Sequence, residues 1–161
     1  MASILRRDEV KRYFQGYGQG LPVVLASGCF DVLHVGHVRY LTEAALMGRI
    51  LVVAVNTDET VRALKGEGRP RFNLHDRLTV LSALRCVDFL IPFPEPDPGP
   101  LIRDLSPIVY VKGPDYAGKL ESAPEADALR EVGCRVAIVG QRSGPGALEP
   151  KESSRDLLRY L

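Results

Sequence analysis

Apolar residues along this chain come in short unbroken runs, at 23–26, 50–55, 89–91, 108–111 and 136–139. A strand with one face in water alternates apolar and polar positions, whereas an unbroken run belongs to a strand covered on both faces, as in a parallel sheet flanked by helices. Between the runs, helical periodicity predicts helices over 6–14, 35–47, 57–64, 74–86, 100–105, 121–132 and 151–160. Strands alternating with helices imply βαβ crossovers and an α/β, Rossmann-like layout. Two stretches break the rhythm: 92–100, studded with prolines, and 140–150, rich in Gly and Pro. Both read as loops. No internal repeat is visible, so one domain over 1–161 is expected, with a helix and turn in 1–20 and a helix at 151–161.

Composition narrows the function class. A length of 161 residues suffices for one core without disulfide or metal staples. The chain is 45% hydrophobic and 25% charged, and no apolar run approaches the roughly 20 residues of a membrane span. A formal charge of +1 argues against a broad surface for duplex nucleic acid but allows a local pocket for phosphates. The three cysteines, Cys29, Cys86 and Cys134, are odd in number and widely spaced, which reads as reduced thiols. Residues 1–10 carry Arg6, Arg7, Asp8 and Glu9 and lack an apolar core of a secretion signal, so a cytoplasmic location is expected.

The run from Ser27 to His37 follows the first expected strand and leads into the first long helix. Ligands of parallel α/β sheets bind beyond the carboxyl ends of strands, where a helix start offers unpaired N–H groups and a positive dipole end. Gly28 and Gly36 leave room for close backbone approach by a phosphate. His34 and His37, three apart, share a face of the first helical turn. They are two of only three histidines in the chain. A lone histidine there would usually cap or pack; a pair in a glycine-punctuated turn favours a phosphate site. A metal reading, with Asp31 or Cys29 completing the shell, conflicts with the usual helical zinc spacing of about four, and no metal ligands are assigned. The segment Gly16-Tyr17-Gly18-Gln19-Gly20 precedes its strand, whereas a dinucleotide fingerprint lies between strand and helix, so hydride transfer is disfavoured.

The pattern of Gly28, Phe30, Asp31, His34, Gly36 and His37 resembles the HxGH signature of the nucleotidyltransferase (cytidylyltransferase-like) superfamily. Asn56-Thr57-Asp58, Leu64-Lys65-Gly66-Glu67-Gly68-Arg69-Pro70, Arg77, Val87-Asp88 and Val111-Lys112-Gly113-Pro114-Asp115-Tyr116 are similar, in order, to the bacterial heptose 1-phosphate adenylyltransferases. This resemblance implies attack by a sugar phosphate oxygen on the α-phosphate of an Mg²⁺-bound NTP, with pyrophosphate leaving. Such chemistry asks a protein for positioning and charge stabilisation.

By the same resemblance His34, His37, Lys65 and Arg77 would serve catalysis. Gly28, Cys29, Phe30, Asp31, His34, Gly36, His37, Lys112, Gly113 and Asp115 would hold the nucleotide, and Asp58, Lys65, Arg69 and Arg77 the acceptor. Plainer readings stand beside these: Asp58 as a helix cap, Lys65 and Arg69 as solvated loop charges, Arg77 as a surface charge. Ser153 and Ser154 match a Ser/Thr-rich turn that grips the β,γ-phosphates in the superfamily, but Arg155 stands where Thr is commoner, and Pro114 where glycine is. The expected protein is a five-stranded parallel sheet of order 3-2-1-4-5 using ATP, or CTP, and a sugar phosphate, with no nucleic-acid or membrane partner, as a homodimer. The alternatives are a cytidylyltransferase for glycerol 3-phosphate or a related alcohol phosphate, disfavoured by the absence of tryptophan, and an inactive nucleotide-binding domain.

Overall fold

The computed structural model describes residues 1–16 and 20–140. Ser153, Ser154, Arg155, the expected helix over 151–160 and residues 141–150 of the second loop lie outside the described residues. Six strands, β1 (Ser3–Ile4), β2 (Val23–Gly28), β3 (Ile50–Asn56), β4 (Phe89–Phe93), β5 (Val109–Lys112) and β6 (Arg135–Ile138), form one sheet. Their order is β1-β4-β3-β2-β5-β6, and every pairing is parallel.

The expectation of five strands in the order 3-2-1-4-5 therefore needs correction. The addition is β1, which pairs Ser3 and Ile4 with Phe89 and Leu90. Both its residues are exposed, so hydrophobic patterning has nothing to register there. Backbone hydrogen bonds hold it: Ser3 N donates to Asp88 O at 3.0 Å and Leu5 N to Leu90 O at 2.9 Å. Pro92, expected in a loop, belongs to β4. Leu90 O points toward β1, so two residues on Pro92 faces the same edge beyond the end of β1, where no ladder donor is needed.

The central strand shows why its apolar run is unbroken. All residues of β3 are buried. Successive side chains point to opposite faces, and Leu51, Val53 and Val55 meet Leu41 and Ala44 of α2 (Val35–Ala45) and Leu78 and Leu81 of α4 (Leu74–Ser82). Ile50, Val52 and Ala54 join Val10 and Phe14 of α1 (Arg7–Gly16), Leu101 and Ile102 of α5 (Gly99–Leu105) and Leu129 of α6 (Ala126–Glu131). One run thus feeds two cores, and helices on both faces leave the carboxyl edge of the sheet open above.

Helix α3 (Asp58–Lys65) starts from that edge. Thr57 caps it, with Thr57 N donating to Phe93 O at 3.1 Å and Thr60 Oγ1 to Pro94 O at 2.6 Å, so the ends of β3 and β4 set its direction. The helix expected over 121–132 is instead a 3-10 turn, Leu120–Ser122, followed by α6 from Ala126. Pro124 lacks an N–H and disfavours helical geometry in the residue before it, which splits the element.

Leu41 has no exposed surface and anchors α2 on the sheet. Leu41→Ala is expected to cost about 2 to 5 kcal/mol through lost burial and a residual cavity. A urea titration checks it, the midpoint falling while the slope stays constant.

Candidate functional site

The turn from β2 to α2 is built by side chains packing on glycines. Phe30 takes a left-handed backbone conformation, φ 47°, and its ring lies over Gly28, where an added Cβ would come within 3.2 Å of it. His34 is the N-cap of α2 with extended backbone, and its Nδ1 accepts from Gly36 N at 3.1 Å. A Cβ at Gly36 would meet the His34 ring at 2.8 Å. Both glycines were expected to admit a phosphate; in the structure each makes room for a ring of the chain itself. Reciprocally, His34 N donates to Nδ1 of His37 at 3.4 Å, closing a capping box made of two imidazoles.

This box fixes the chemistry of both rings. Each Nδ1 is an acceptor, so each neutral ring carries its proton on Nε2. The rings lie 4.0 Å apart between centroids, and both line a cavity of about 1030 Å³ over the carboxyl edge of the sheet. Burial lowers the pKa of His34. Burial, then the neighbouring His34 and the Lys65 charge, lowers that of His37 to about 4. At neutral pH the helix start therefore presents two uncharged N–H donors beside its own backbone amides.

Two ion pairs tie this turn to the loop at residues 69–72 and to α3. The Asp31 carboxylate has no exposed side-chain surface and accepts from Arg71 N at 2.6 Å, Phe72 N at 3.5 Å and Arg69 Nη1 at 2.6 Å. Burial alone would raise its pKa, but these donors, Arg71 first, hold it below the usual carboxylate value. Arg77, only 3% exposed, donates from Nε to Phe72 O at 3.1 Å, from Nη1 to Cys29 O at 2.5 Å and from Nη2 to Asp58 Oδ1 at 2.7 Å. Arg69, Arg77 and Asp58 are absent from the cavity lining and are occupied with one another's neighbours. Asp58 also opens α3, with Thr57 as its cap, so the capping alternative falls to the preceding residue.

Lys65, the last residue of α3, is exposed and lines the cavity, and its charge reaches both His37 and Cys29. Cys29 lines it too, its thiol pKa pushed up by burial, with Sγ 3.7 Å from Asn56 Oδ1. Lys112, Gly113 and Asp115 line the side next to β5. Lys112 is buried, and its ammonium lies 3.1 Å from Glu125 Oε1, 4.0 Å from the Tyr116 ring centre and 4.9 Å from that of Tyr110. The Tyr110 hydroxyl donates to the same Oε1 at 3.2 Å and pairs with Ser27 Oγ at 2.6 Å. Glu125, 2% exposed, and Ser27 were not picked out from sequence; a glutamate after Pro124 and before a short helix looks like any first-turn acid. Among the described residues no group of three or more His, Cys, Asp and Glu is placed to hold a metal ion.

Residues 25–155 match the family model described as Cytidylyltransferase-like. The bifunctional protein HldE of Hydrogenovibrio crunogenus is 48% identical over 136 residues, which are 84% of this chain and 28% of that protein. The HldE protein of Actinobacillus pleuropneumoniae serotype 5b is 49% identical over 114 residues, 70% of this chain and 24% of that one. The chain thus spans about a quarter of the length of these curated relatives. Among solved structures, the lipopolysaccharide core biosynthesis protein from Thermoplasma volcanium has a TM-score of 0.61 at 34% identity, covering 74% of this chain and 94% of that one. A pantoate-beta-alanine ligase from Francisella tularensis, at 12% identity and TM-score 0.64 over 90% of this chain and 69% of that one, shares the fold.

The lowered pKa of His37 has a consequence for stability. The folded ring stays neutral down to about pH 4, while the unfolded chain binds a proton below the ordinary imidazole value of 6.5. The unfolded state gains protons first as pH falls, so this contribution is complete above pH 6.5 and disappears toward pH 4. Between pH 7 and 5 the ring is expected to account for about 2 kcal/mol of lost stability. Denaturant titrations at both pH values check it: His37→Asn should show a smaller loss than the parent, and equal losses would contradict the assignment.

Proposed function

Since the chain belongs to the cytidylyltransferase-like family of nucleotidyltransferases, we propose that it transfers AMP from ATP to a sugar 1-phosphate, a heptose 1-phosphate, with release of pyrophosphate. The observation that carries the reading is the pair of neutral, tautomer-fixed imidazoles at the start of α2, facing a cavity large enough for a nucleotide and a sugar phosphate. A phosphate oxygen of the acceptor attacks the α-phosphorus; the new P–O bond forms as the bond to the pyrophosphate oxygen breaks. Negative charge builds on the equatorial and leaving oxygens, where fixed Nε2–H donors, amides of α2 and the Lys65 ammonium stabilise it without reorganising. Mg²⁺ enters with the triphosphate as part of the substrate. Ser153, Ser154 and Arg155 belong to this reading as further partners of the β,γ-phosphates.

Arg77, Arg69 and Asp58 serve the reading as struts: their charges are spent on Asp31, Cys29 O and each other, and their effect on the phosphates passes through the turn they brace. Support for adenine and heptose comes from the segments 64–70 and 111–116, from HldE relatives at 48% and 49% identity, and from the description of the Thermoplasma protein as a lipopolysaccharide core biosynthesis protein. The reading includes a cytoplasmic homodimer, to be checked by sedimentation; no helix among the described residues is long and apolar enough to cross a membrane.

Pyrophosphate release measured over four NTPs against heptose 1-phosphate, glycerol 3-phosphate and other sugar phosphates tests the proposal. Turnover is expected with ATP and heptose 1-phosphate. Release with no pair would remove the enzyme reading, and preference for CTP with an alcohol phosphate would replace the substrate. His34→Ala and His37→Ala are each expected to lower kcat by about 10²- to 10³-fold, the usual effect of losing one preorganised donor. Near-parent turnover in both variants would leave the mechanism without its support.

A further inference from the structure

The cavity is electrically divided. Phosphate-binding groups cluster where α2 and α3 meet it, on His34, His37 and Lys65. Lys112 looks like another phosphate ligand, but its charge is already matched by Glu125 at 3.1 Å, and both groups are buried. A buried carboxylate is retained at a cost unless its oxygens are hydrogen-bonded. Tyr110 donates to Oε1 and the Lys112 ammonium lies 3.1 Å from the same oxygen as its ion-pair partner; among the described residues no hydrogen bond is made to Oε2. Glu125 stands at the N-cap of α6, yet makes no side-chain capping bond there, so helix capping does not explain it.

We propose that Glu125 is a specificity-determining residue whose Oε2 accepts a hydrogen bond from a sugar hydroxyl of a bound substrate, the acceptor sugar or the nucleotide ribose. The assignment rests on the reaction proposed above and adds the polyol end of the substrate to it. A carboxylate repels phosphate and requires a donor, which restricts the ligand group to a hydroxyl or an amine. The amine of a base needs its ring stacked alongside, and the Lys112 ammonium that pairs with Glu125 already sits over the rings of Tyr110 and Tyr116. A saturated sugar needs no such platform. Lys112 then acts as a positioning residue: it fixes the carboxylate's rotamer and leaves one oxygen for the ligand.

The test compares kcat/KM of the parent and Glu125→Gln on each full substrate and on analogues lacking a single group: 2′-deoxyATP, 3′-deoxyATP, purine riboside triphosphate, and monodeoxy heptose 1-phosphates. In the parent, one deoxy analogue should be penalised, and in Glu125→Gln that penalty should shrink by roughly 10- to 100-fold, because a charge-assisted bond is what the hydroxyl loses. Collapse against a deoxyATP assigns the ribose, and collapse against a deoxyheptose assigns the acceptor. Ratios equal in parent and variant for every deoxy analogue overturn the proposal, as does a change confined to purine riboside triphosphate, which lacks only the amine. A parent that turns over no substrate pair is a different result and overturns the underlying reaction. Because Glu125→Gln strands a buried ammonium, a second variant, Glu125→Leu with Lys112→Met, removes both charges. Once its thermal unfolding is shown to be cooperative, it should lose the same discrimination.

Discussion

A carboxylate with no exposed side-chain surface has to find donors nearby, and among the described residues Asp31 takes its donors from one loop, the amides of Arg71 and Phe72 and the guanidinium of Arg69. The turn after β2 is therefore not a free-standing cradle. It keeps its shape only while residues 69–72 lie against it, and removing one partner of such a buried pair costs about 3 to 5 kcal/mol. Arg77 adds the complementary constraint, holding Cys29 O from the same turn, Phe72 O from the same loop and Asp58 at the head of α3 with one planar guanidinium. Five N–H donors in a rigid fork make this arrangement specific to arginine. Because α3 ends at Lys65, a strut at its head also sets where that exposed ammonium meets the cavity.

The histidine pair depends on that frame in turn. An imidazole that merely faced phosphates would have its pKa raised by their charge and its tautomer left free. Here Nδ1 of each ring is tied to backbone N–H, and burial together with Lys65 keeps His37 uncharged. A neutral donor avoids the repulsion that two imidazolium rings 4.0 Å apart would suffer beside a lysine. In the proposed reaction it also needs no proton exchange when charge develops on a phosphate oxygen. Gly36 is the condition for this: only without a Cβ can the His34 ring lie back over its own helix start.

Much of this was legible in the chain and some was not. Unbroken apolar runs give away buried parallel strands, since burial on both faces removes the period-two signal, and β3 supplies both cores from one such run. β1 was invisible because two exposed residues held by backbone bonds leave no side-chain pattern. The break at Pro124 was legible in principle but outweighed by helical periodicity on either side. At the site, the segment carrying Gly28, His34, Gly36 and His37 lines the cavity, and its glycines also make room for the rings of Phe30 and His34, a packing role that sequence spacing does not reveal. Asp58, Arg69 and Arg77 illustrate why spacing alone does not reveal a charge's partners within the fold. Their partners lie 19, 38 and 48 residues away along the chain.

Lys65 and Lys112 make the same point with opposite outcomes. Both stand at strand or helix ends on one edge of the sheet, both lie in segments similar to the same enzymes, and both line one cavity. Lys65 stays exposed, and its charge is felt by the histidine and cysteine in front of it. Lys112 is buried against Glu125 and two tyrosine rings, and its charge, paired there, is felt at Cys29 less than that of Lys65. On the proposed reaction the phosphates are placed toward α2 and α3, where Lys65 is exposed, and the β5 side is left for the uncharged part of the substrate. Glu125, thirteen residues beyond Lys112, contributes to that polarity by pairing its ammonium, alongside Asp115 on the same side of the cavity.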